Sequence, residues 1–213
     1  GDDAFDWDQC YTGTLQFLFA IQSPITGDRC AEMDGICGSS DPSYSDPCVA
    51  NATYLGSGMN SINKQGSKLM LKFRDNTAGK YLNSIFGDDT YRAIDIEDDP
   101  ALPHDSYDHL MAGTLQIKGC IFFDFGAGNT WADISKHTWE AAYLADPANG
   151  NAIVDPLLLS LGRCCIQQLD PRPKQDGPAY QDIQPLPPEC DLYTVNYKVK
   201  FDDQNILRRL DST

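Results

Sequence analysis

The segment GTLQIKGCIFFDF, residues 113–125, carries the longest run of strand-forming residues in the chain. Its isoleucine and phenylalanine residues are of the β-branched and aromatic types that favour extended backbone. Gly119 lies in the middle of the run, and a glycine inside a strand commonly marks a β-bulge. The segment therefore predicts one long buried strand with a bulge at Gly119.

Alternation of apolar and polar residues predicts further strands on both sides of this segment. The clearest lies over residues 191–201, where every second side chain is large and apolar or aromatic. Shorter alternating patterns predict strands at 13–22, 67–74 and 91–96. In the strand at 67–74, Lys68, Lys72 and Arg74 are expected to face outward. Strands are thus expected near the start and the end of the chain.

Helical periodicity appears mainly between these strands. Apolar residues recur at intervals of three and four over 131–145, which predicts an amphipathic helix. Asp155 followed by Pro156 favours the start of a second helix that runs to residue 169, and 79–86 predicts a short third one. Strands and helices do not alternate, so we expect a β-rich α+β fold. Its predicted form is an antiparallel sheet or sandwich with one or two packed helices, stapled by disulfides.

The 213 residues are expected to form a single extracellular domain over 1–213. Within it, residues 23–66 are rich in glycine and proline, and we expect an irregular region held by disulfides. Residues 170–189 contain six prolines, which predicts an extended arm before the strand at 191–201.

The chain contains eight cysteines and no C-x-x-C pair, which favours disulfides over a zinc site and hence an extracellular or cell-surface location. We expect pairing mainly within the first four cysteines and within the last four, because short loops close most easily. The predicted disulfide residues are Cys10, Cys30, Cys37, Cys48, Cys120, Cys164, Cys165 and Cys190.

Charge and hydropathy exclude two classes of partner. The chain has 31 acidic and 16 basic residues, a net charge of −15, which repels nucleic-acid phosphates. No run of about 18–20 apolar residues is present, so we expect no membrane span in this chain. Other copies of the protein or surface proteins are the expected partners, and glycans are the alternative.

One short loop has the residue types of a metal site. His104, Asp105, Asp108 and His109 lie within six residues and offer nitrogen and oxygen ligands suited to zinc, or carboxylates suited to calcium. The two histidines are five residues apart and do not share one helix face. A solvated acidic loop without a cofactor is therefore the favoured interpretation, and a chelator is expected to leave the melting temperature unchanged.

Other motifs give little support for catalysis. The chain has no G-x-S-x-G, G-x-G-x-x-G or Walker sequence, so an enzyme is not favoured. Asn51 begins an Asn-Ala-Thr triplet and is a candidate N-glycosylation site. The aromatic residues Trp7, Tyr11, Tyr44 and Tyr54 are candidates for stacking on sugars or for packing in small cores.

These observations favour a non-enzymatic extracellular structural or adhesive protein, such as a subunit or tip component of a pilus-like surface filament. The alternative is a carbohydrate- or ligand-binding domain, with calcium as a candidate aid. A secreted hydrolase is the third hypothesis.

Overall fold

The computed structural model describes residues 3–37, 43–62, 69–163 and 168–199. Most of the chain winds into a coil in which each turn contributes three short strands. The first turn contains β1 (Phe5–Trp7), β2 (Thr14–Gln16) and β3 (Phe19–Ile21). The second contains β4 (Ala31–Asp34), β5 (Cys48–Ala50) and β6 (Thr53–Leu55). The third contains β7 (Leu71–Arg74), β8 (Gly79–Leu82) and β9 (Ile85–Asp89).

The fourth turn is followed by helices and by a hairpin. It contains β10 (Ile94–Ile96), helix α1 (Ser106–Ala112), β11 (Leu115–Lys118) and β12 (Ile121–Phe125). Helices α2 (Trp131–Ile134) and α3 (Thr138–Ala145) come next, then a 3₁₀ turn (Pro147–Asn149) and β13 (Ala152–Ile153). The chain continues through β14 (Leu158–Leu161), β15 (Leu169–Pro173) and a second 3₁₀ turn (Pro178–Tyr180).

Equivalent strands of successive turns stack into three parallel sheets. Sheet A has the order β1-β4-β7-β10, sheet B β2-β5-β8-β11, and sheet C β3-β6-β9-β12-β13. The fold is thus a parallel β-helix, and the predicted antiparallel sheet or sandwich is wrong. A strand buried on both faces gives no signal for the direction of its neighbour, and here that neighbour lies a full turn away in sequence.

The corner between sheets B and C explains why predicted long strands are divided. Gly119 is not a bulge: it has φ 64°, ends β11, and turns the chain towards β12. Asn83 (φ 47°), Asn51 (φ 53°) and Phe17 (φ 64°) occupy the equivalent corner in the preceding turns. Glycine and asparagine tolerate this left-handed backbone best. The predicted strands at 113–125 and 13–22 therefore each form two strands of different sheets.

Two predicted helices and the predicted irregular region also contain strands in the structure. Residues 79–86 contain β8 and the start of β9 instead of a helix, and 23–66 contains three strands of the second turn. The described part of 155–169 holds β14 and the start of β15 rather than a helix. In 79–86 and 23–66, strands of three to five residues separated by corners imitate a helical or irregular pattern.

The core lies inside the coil and is rich in stacked aromatic rings. Tyr54, Phe86 and Phe122 point inward from successive strands of sheet C. Their ring centroids are 5.6 Å apart between Tyr54 and Phe86, and 5.5 Å apart between Phe86 and Phe122. Each fully buried side chain of this size contributes about 1.5–3 kcal/mol by leaving water.

Helices α2 and α3 close the end of this core beyond the fourth turn. The predicted helix at 131–145 is interrupted at Ser135, which forms a parallel bridge to Ile94 of sheet A. The buried carboxylate of Glu140 accepts the free N–H of Ile96 at 2.6 Å. The helices thus satisfy backbone groups that a further strand would otherwise pair.

The outer face of sheet C is apolar and is covered by residues 158–163 and 168–199, here called the C-terminal cover. Outward side chains of sheet C form a second core with residues of this cover. Members of this core are Leu55, Ile85, Ile121, Phe123, Ala179, Tyr197 and Val199.

Residues 191–199 contain no strand, although alternation predicted one there. Side chains of the coil take its backbone groups instead. The amide of Gln16 donates to the Tyr193 carbonyl at 2.8 Å and accepts the Tyr193 N–H at 3.0 Å. The apolar side chains of the segment thus cover sheet C without joining a ladder, and residues 200–201 lie outside the described residues.

Candidate functional site

The outer face of sheet A is polar and faces solvent, in contrast to that of sheet C. Inward residues of its strands, such as Phe73 and Ile96, are buried in the core. Alternation places charged side chains on the opposite face. The strand register aligns Asp6, Glu32, Lys72 and Asp95 in one column across the sheet.

Asp95 lies at the β10 end of this column. Only 4% of its surface is exposed, and its carboxylate lies 2.8 Å from Lys72 Nζ and 3.0 Å from Lys136 Nζ. Lys136 reaches it because the neighbouring Ser135 continues sheet A beside Ile94. Two ammonium groups therefore neutralise one nearly buried carboxylate.

A second column contains Arg74 and Asp34, which are partners in the register of β4 and β7. Arg74 Nε donates to Asp34 Oδ1 at 2.6 Å, and this bond raises the pKa of the guanidinium. Glu97 follows β10, and its Oε2 accepts the Asp75 N–H at 2.6 Å. Burial raises the pKa of Glu97.

Three rings lie at the end of this face where α3 begins. The rings of His137 and Trp139 stack with centroids 5.0 Å apart and planes 6° apart. The Tyr107 ring lies 4.6 Å from that of Trp139, and the Tyr107 N–H donates to the Glu97 carbonyl at 3.0 Å. The partly exposed rings thus adjoin the charged columns.

A carboxylate, an imidazole and a second carboxylate meet beside these rings. Ligand atoms of Asp95, His137 and Glu140 all lie within 4.8 Å of one another. The two Glu140 oxygens already accept N–H groups of Ile96 at 2.6 Å and His137 at 2.7 Å, and burial raises the pKa of Glu140 to about 7. The protein itself therefore satisfies both carboxylates, and a cation here would compete with the two lysines.

The structure separates the four residues of the predicted metal loop. His104 Nδ1 lies 3.5 Å from Asp108 Oδ2, with 76% and 57% of these side chains exposed. Asp105 instead caps α1, where its oxygens accept the N–H groups of Asp108 at 3.1 Å and Asp99 at 2.7 Å.

His109 turns its ring towards other partners. Its Nδ1 lies 2.9 Å from Thr114 Oγ1, and its Nε2 lies 3.1 Å from Asn76 Oδ1. The Tyr44 ring packs 4.2 Å from the imidazole, and burial lowers the pKa of His109. A solvated loop without a metal therefore stays the prediction, and a zinc or calcium site stays the alternative, with His104 and Asp108 as its two solvent-exposed side chains.

Asn51, the predicted glycosylation site, is 1% exposed. Its Nδ2, the atom that would carry a glycan, donates to the Tyr197 carbonyl at 2.5 Å. Its Oδ1 accepts from Gln16 Nε2 at 2.9 Å. A glycan on Asn51 is incompatible with this packing of the C-terminal cover.

Two disulfides lie within the described residues. Cys10 pairs with Cys37, and Cys48 pairs with Cys190. The second bridge joins the two groups of cysteines, so the expectation of local pairing is wrong for it. Such a bridge forms because the C-terminal cover returns to the second turn.

The remaining predicted disulfide residues differ in position. Cys30 and Cys120 are buried free thiols, and burial raises the pKa of Cys120 to about 12. Cys164 and Cys165 lie outside the described residues.

The aromatic residues that the sequence offered as candidates for stacking on sugars are not the ones that lie at this site. Trp7 and Tyr54 are buried in the core and are unavailable for stacking. The alternation in 67–74 did predict that Lys72 and Arg74 point outward. No sequence signal linked Lys72 to Lys136, because only the coil brings them to the same carboxylate.

A cavity of about 390 Å³ lies on the other side of the coil, between the first turn and β14–β15. Its charged lining residue is Arg163, whose guanidinium donates to Asp88 at 2.6 Å and to the Gln22 carbonyl at 2.7 Å. This charged group is thus already bound within the described part of the protein.

A family model described as the pectate-lyase like beta helix domain matches residues 1–153. The chain belongs to this family. The match covers the coil and its capping helices and ends with β13. Comparison with curated proteins and with solved structures finds no match.

The family assignment suggests a carbohydrate-related or surface protein. The two disulfides of this pectate-lyase-like domain are compatible with an extracellular location. Among the described residues, no helix has the length and apolar character needed to cross a membrane.

Proposed function

We propose that this protein is an extracellular glycan-binding domain and that the outer face of sheet A is its binding surface. The observation that carries the proposal is the combination of charged columns and stacked rings on that one face. The role is adhesive rather than enzymatic, so it joins two of the functions that the sequence predicts.

The other two sheets support this choice because the chain covers their outer faces. Apolar residues of the C-terminal cover pack on sheet C. The disulfide between Cys48 and Cys190 and the bonds between Gln16 and Tyr193 hold the cover beside sheet B. Among the described residues, sheet A keeps the face that a long ligand can reach.

The chemistry of the face matches that of a sugar. Hydroxyl groups both donate to carboxylates and accept from ammonium groups, and the columns offer both kinds of partner. The apolar side of a sugar ring packs on an aromatic ring, which Trp139 and Tyr107 provide. Neighbouring parallel strands place the residues of one column about 4.8 Å apart, so an extended glycan along a column would meet a charged side chain at each strand.

The carboxylates beside the rings are poorly suited to catalysis. Glycoside hydrolysis needs one acid that donates a proton and one free carboxylate, both open to the substrate. Glu140 is fully buried, and Asp95 lies between two lysines. These observations favour binding without turnover.

Single variants of two similar tryptophans test the proposal. Trp139→Leu removes the stacked ring, and binding on a glycan array should fall at least tenfold. Trp131→Leu is the matched control, because Trp131 also lies in the first turn of a capping helix. Its ring packs on that of Phe122 in sheet C, with centroids 5.8 Å apart. Equal losses in both variants, or no glycan binding by the folded wild type, would contradict the proposal.

One observation favours a filament subunit as a second candidate. In the described residues, β1, β2 and β3 each have a neighbouring strand on one side only. Such edges can pair with another chain. Light scattering over a concentration series should show growth if copies stack there, and a constant monomer mass would remove this candidate.

A further inference from the structure

We infer that the outer face of sheet A selects uncharged glycans and rejects polyuronates and sulfated glycans. This inference rests on the proposed glycan-binding function. It concerns which class of sugar the face accepts, and it follows from how the charges of the face are already paired.

Within the part of the chain that the structure describes, the two cations of the charged columns and their neighbour Lys136 are all engaged by carboxylates. Lys72 and Lys136 both contact Asp95, and Arg74 contacts Asp34. A ligand carboxylate or sulfate would therefore have to displace a carboxylate from one of these pairs. Breaking such a pair leaves the displaced charge without its partner, which is costly where water is partly excluded.

Carboxylates also outnumber cations along the two columns. The columns contain four carboxylates and two cations: Asp6, Glu32, Asp34 and Asp95 against Lys72 and Arg74. Like charges placed across an interface suppress wrong partners. The net charge of −15 adds repulsion of polyanions before contact.

An uncharged sugar meets none of these obstacles. Its hydroxyls can donate to carboxylate lone pairs that the lysines leave open, so the ion pairs remain intact. Its ring can rest on Trp139 without bringing a like charge near Asp95. The same face thus discriminates by charge, and its excess of carboxylates is the repulsive element.

Titration calorimetry with cellohexaose and with hexagalacturonate tests the inference, each in chelator and in calcium. The wild type should bind the uncharged hexamer at least tenfold more tightly in both buffers. Asp95→Asn releases two lysines, and it should raise the affinity for hexagalacturonate at least fivefold relative to that for cellohexaose. Asp34→Asn removes the carboxylate nearest to Arg74 and leaves it only the longer contact with Asp75 at 3.5 Å and that with Glu32 at 3.9 Å. It should shift the same ratio in the same direction by a smaller factor, which serves if Asp95→Asn melts too low to study.

Asp170→Asn is the matched control. It also removes one negative charge that is paired with an arginine, because Asp170 lies 2.7 Å from Arg172, but both belong to β15 of the C-terminal cover. The affinity ratio should not change in this variant.

Three results would overturn the inference. Tighter wild-type binding of hexagalacturonate that still requires Trp139 would refute the selectivity and leave the proposed function standing. An unchanged ratio in folded Asp95→Asn and Asp34→Asn, or an equal change in Asp170→Asn, would refute the role of the paired charges. Failure to bind either hexamer or any other glycan would refute the inference together with the proposed function.

Discussion

Sheets A and C are both built from short parallel strands, yet the outer face of sheet A is exposed to solvent and that of sheet C is buried. Sheet A presents charged columns such as Lys72 beside Asp95, while sheet C presents side chains such as Ile85 and Ile121. The C-terminal cover buries the second face and leaves the first in solvent. The difference shows that the chain closes its own apolar face and leaves in solvent the polar one, to which we propose that a glycan binds.

Removal of a disulfide should give the largest loss of stability, and the loss should be greater for the bridge that holds the C-terminal cover. Replacing both Cys48 and Cys190 with serine frees the C-terminal cover from a link across 142 residues, and we expect a loss of about 4–5 kcal/mol. Replacing Cys10 and Cys37, which are 27 residues apart, should cost about 3 kcal/mol. Urea unfolding measures both, and a larger loss from the second pair would argue against the anchoring role of the cover.

Truncation of outward side chains sharpens the contrast between the two faces. Ile121→Ala removes a buried side chain beneath the cover and should cost about 3 kcal/mol. Glu32→Ala removes a half-buried side chain from sheet A and should cost less than about 1 kcal/mol. Chemical denaturation of both variants provides the test, and similar losses would mean that the cover does not bury sheet C.

The pH dependence of stability reports on the closed end of sheet A. Burial raises the pKa of Glu140 to about 7, above its value in the unfolded chain, so the folded state binds the proton more tightly. This contribution to stability is complete below about pH 4 and is lost as the pH rises through 7.

Between pH 5 and 7 the loss due to Glu140 should be about 2 kcal/mol. Glu140→Gln should flatten the curve by that amount, although one N–H loses its acceptor. Asp89, at the end of β9 in sheet C, also has a pKa raised by burial, to about 6, and Asp89→Asn is the parallel variant. Parallel curves for wild type and Glu140→Gln would show that Glu140 does not titrate in this range.

The smallest expected effect concerns the corner that holds the cover. Asn83 has φ 47° and exchanges two hydrogen bonds with the backbone of Gln184, both at 2.8 Å. Asn83→Gly keeps the backbone conformation and loses these bonds, while Asn83→Ala also adds left-handed strain. The alanine variant should be about 1 kcal/mol less stable than the glycine variant in urea, and equal stabilities would exclude strain at this corner.

Sequence patterns predicted which side chains point outward better than they predicted the sheets. Alternation at 67–74 identified Lys72 and Arg74 as outward residues because inward and outward positions still alternate within one strand. The direction of pairing could not be predicted, since each partner lies a whole turn away. Gly119 illustrates the problem, because a glycine corner and a glycine bulge interrupt a strand in the same way.

The candidate site was hidden for a similar reason. Lys136 and Asp95 are 41 residues apart and meet only because Ser135 continues sheet A. The alternation near the C-terminus was informative about burial, since Tyr197 and Val199 are covered. It gave no information about hydrogen bonding. Backbone groups of this segment bond to side chains, as the Tyr197 carbonyl does to Asn51, and not to a neighbouring strand.

Hydroxyl-radical footprinting with a saturating uncharged hexasaccharide tests the central claim most directly. Oxidation of Trp139 and Tyr107, at the end of sheet A, should fall on binding. Tyr193 in the C-terminal cover, whose side chain is largely exposed, should be oxidised equally with and without the sugar. Protection of Tyr193 without protection of Trp139 would place the ligand on the covered side and contradict the account.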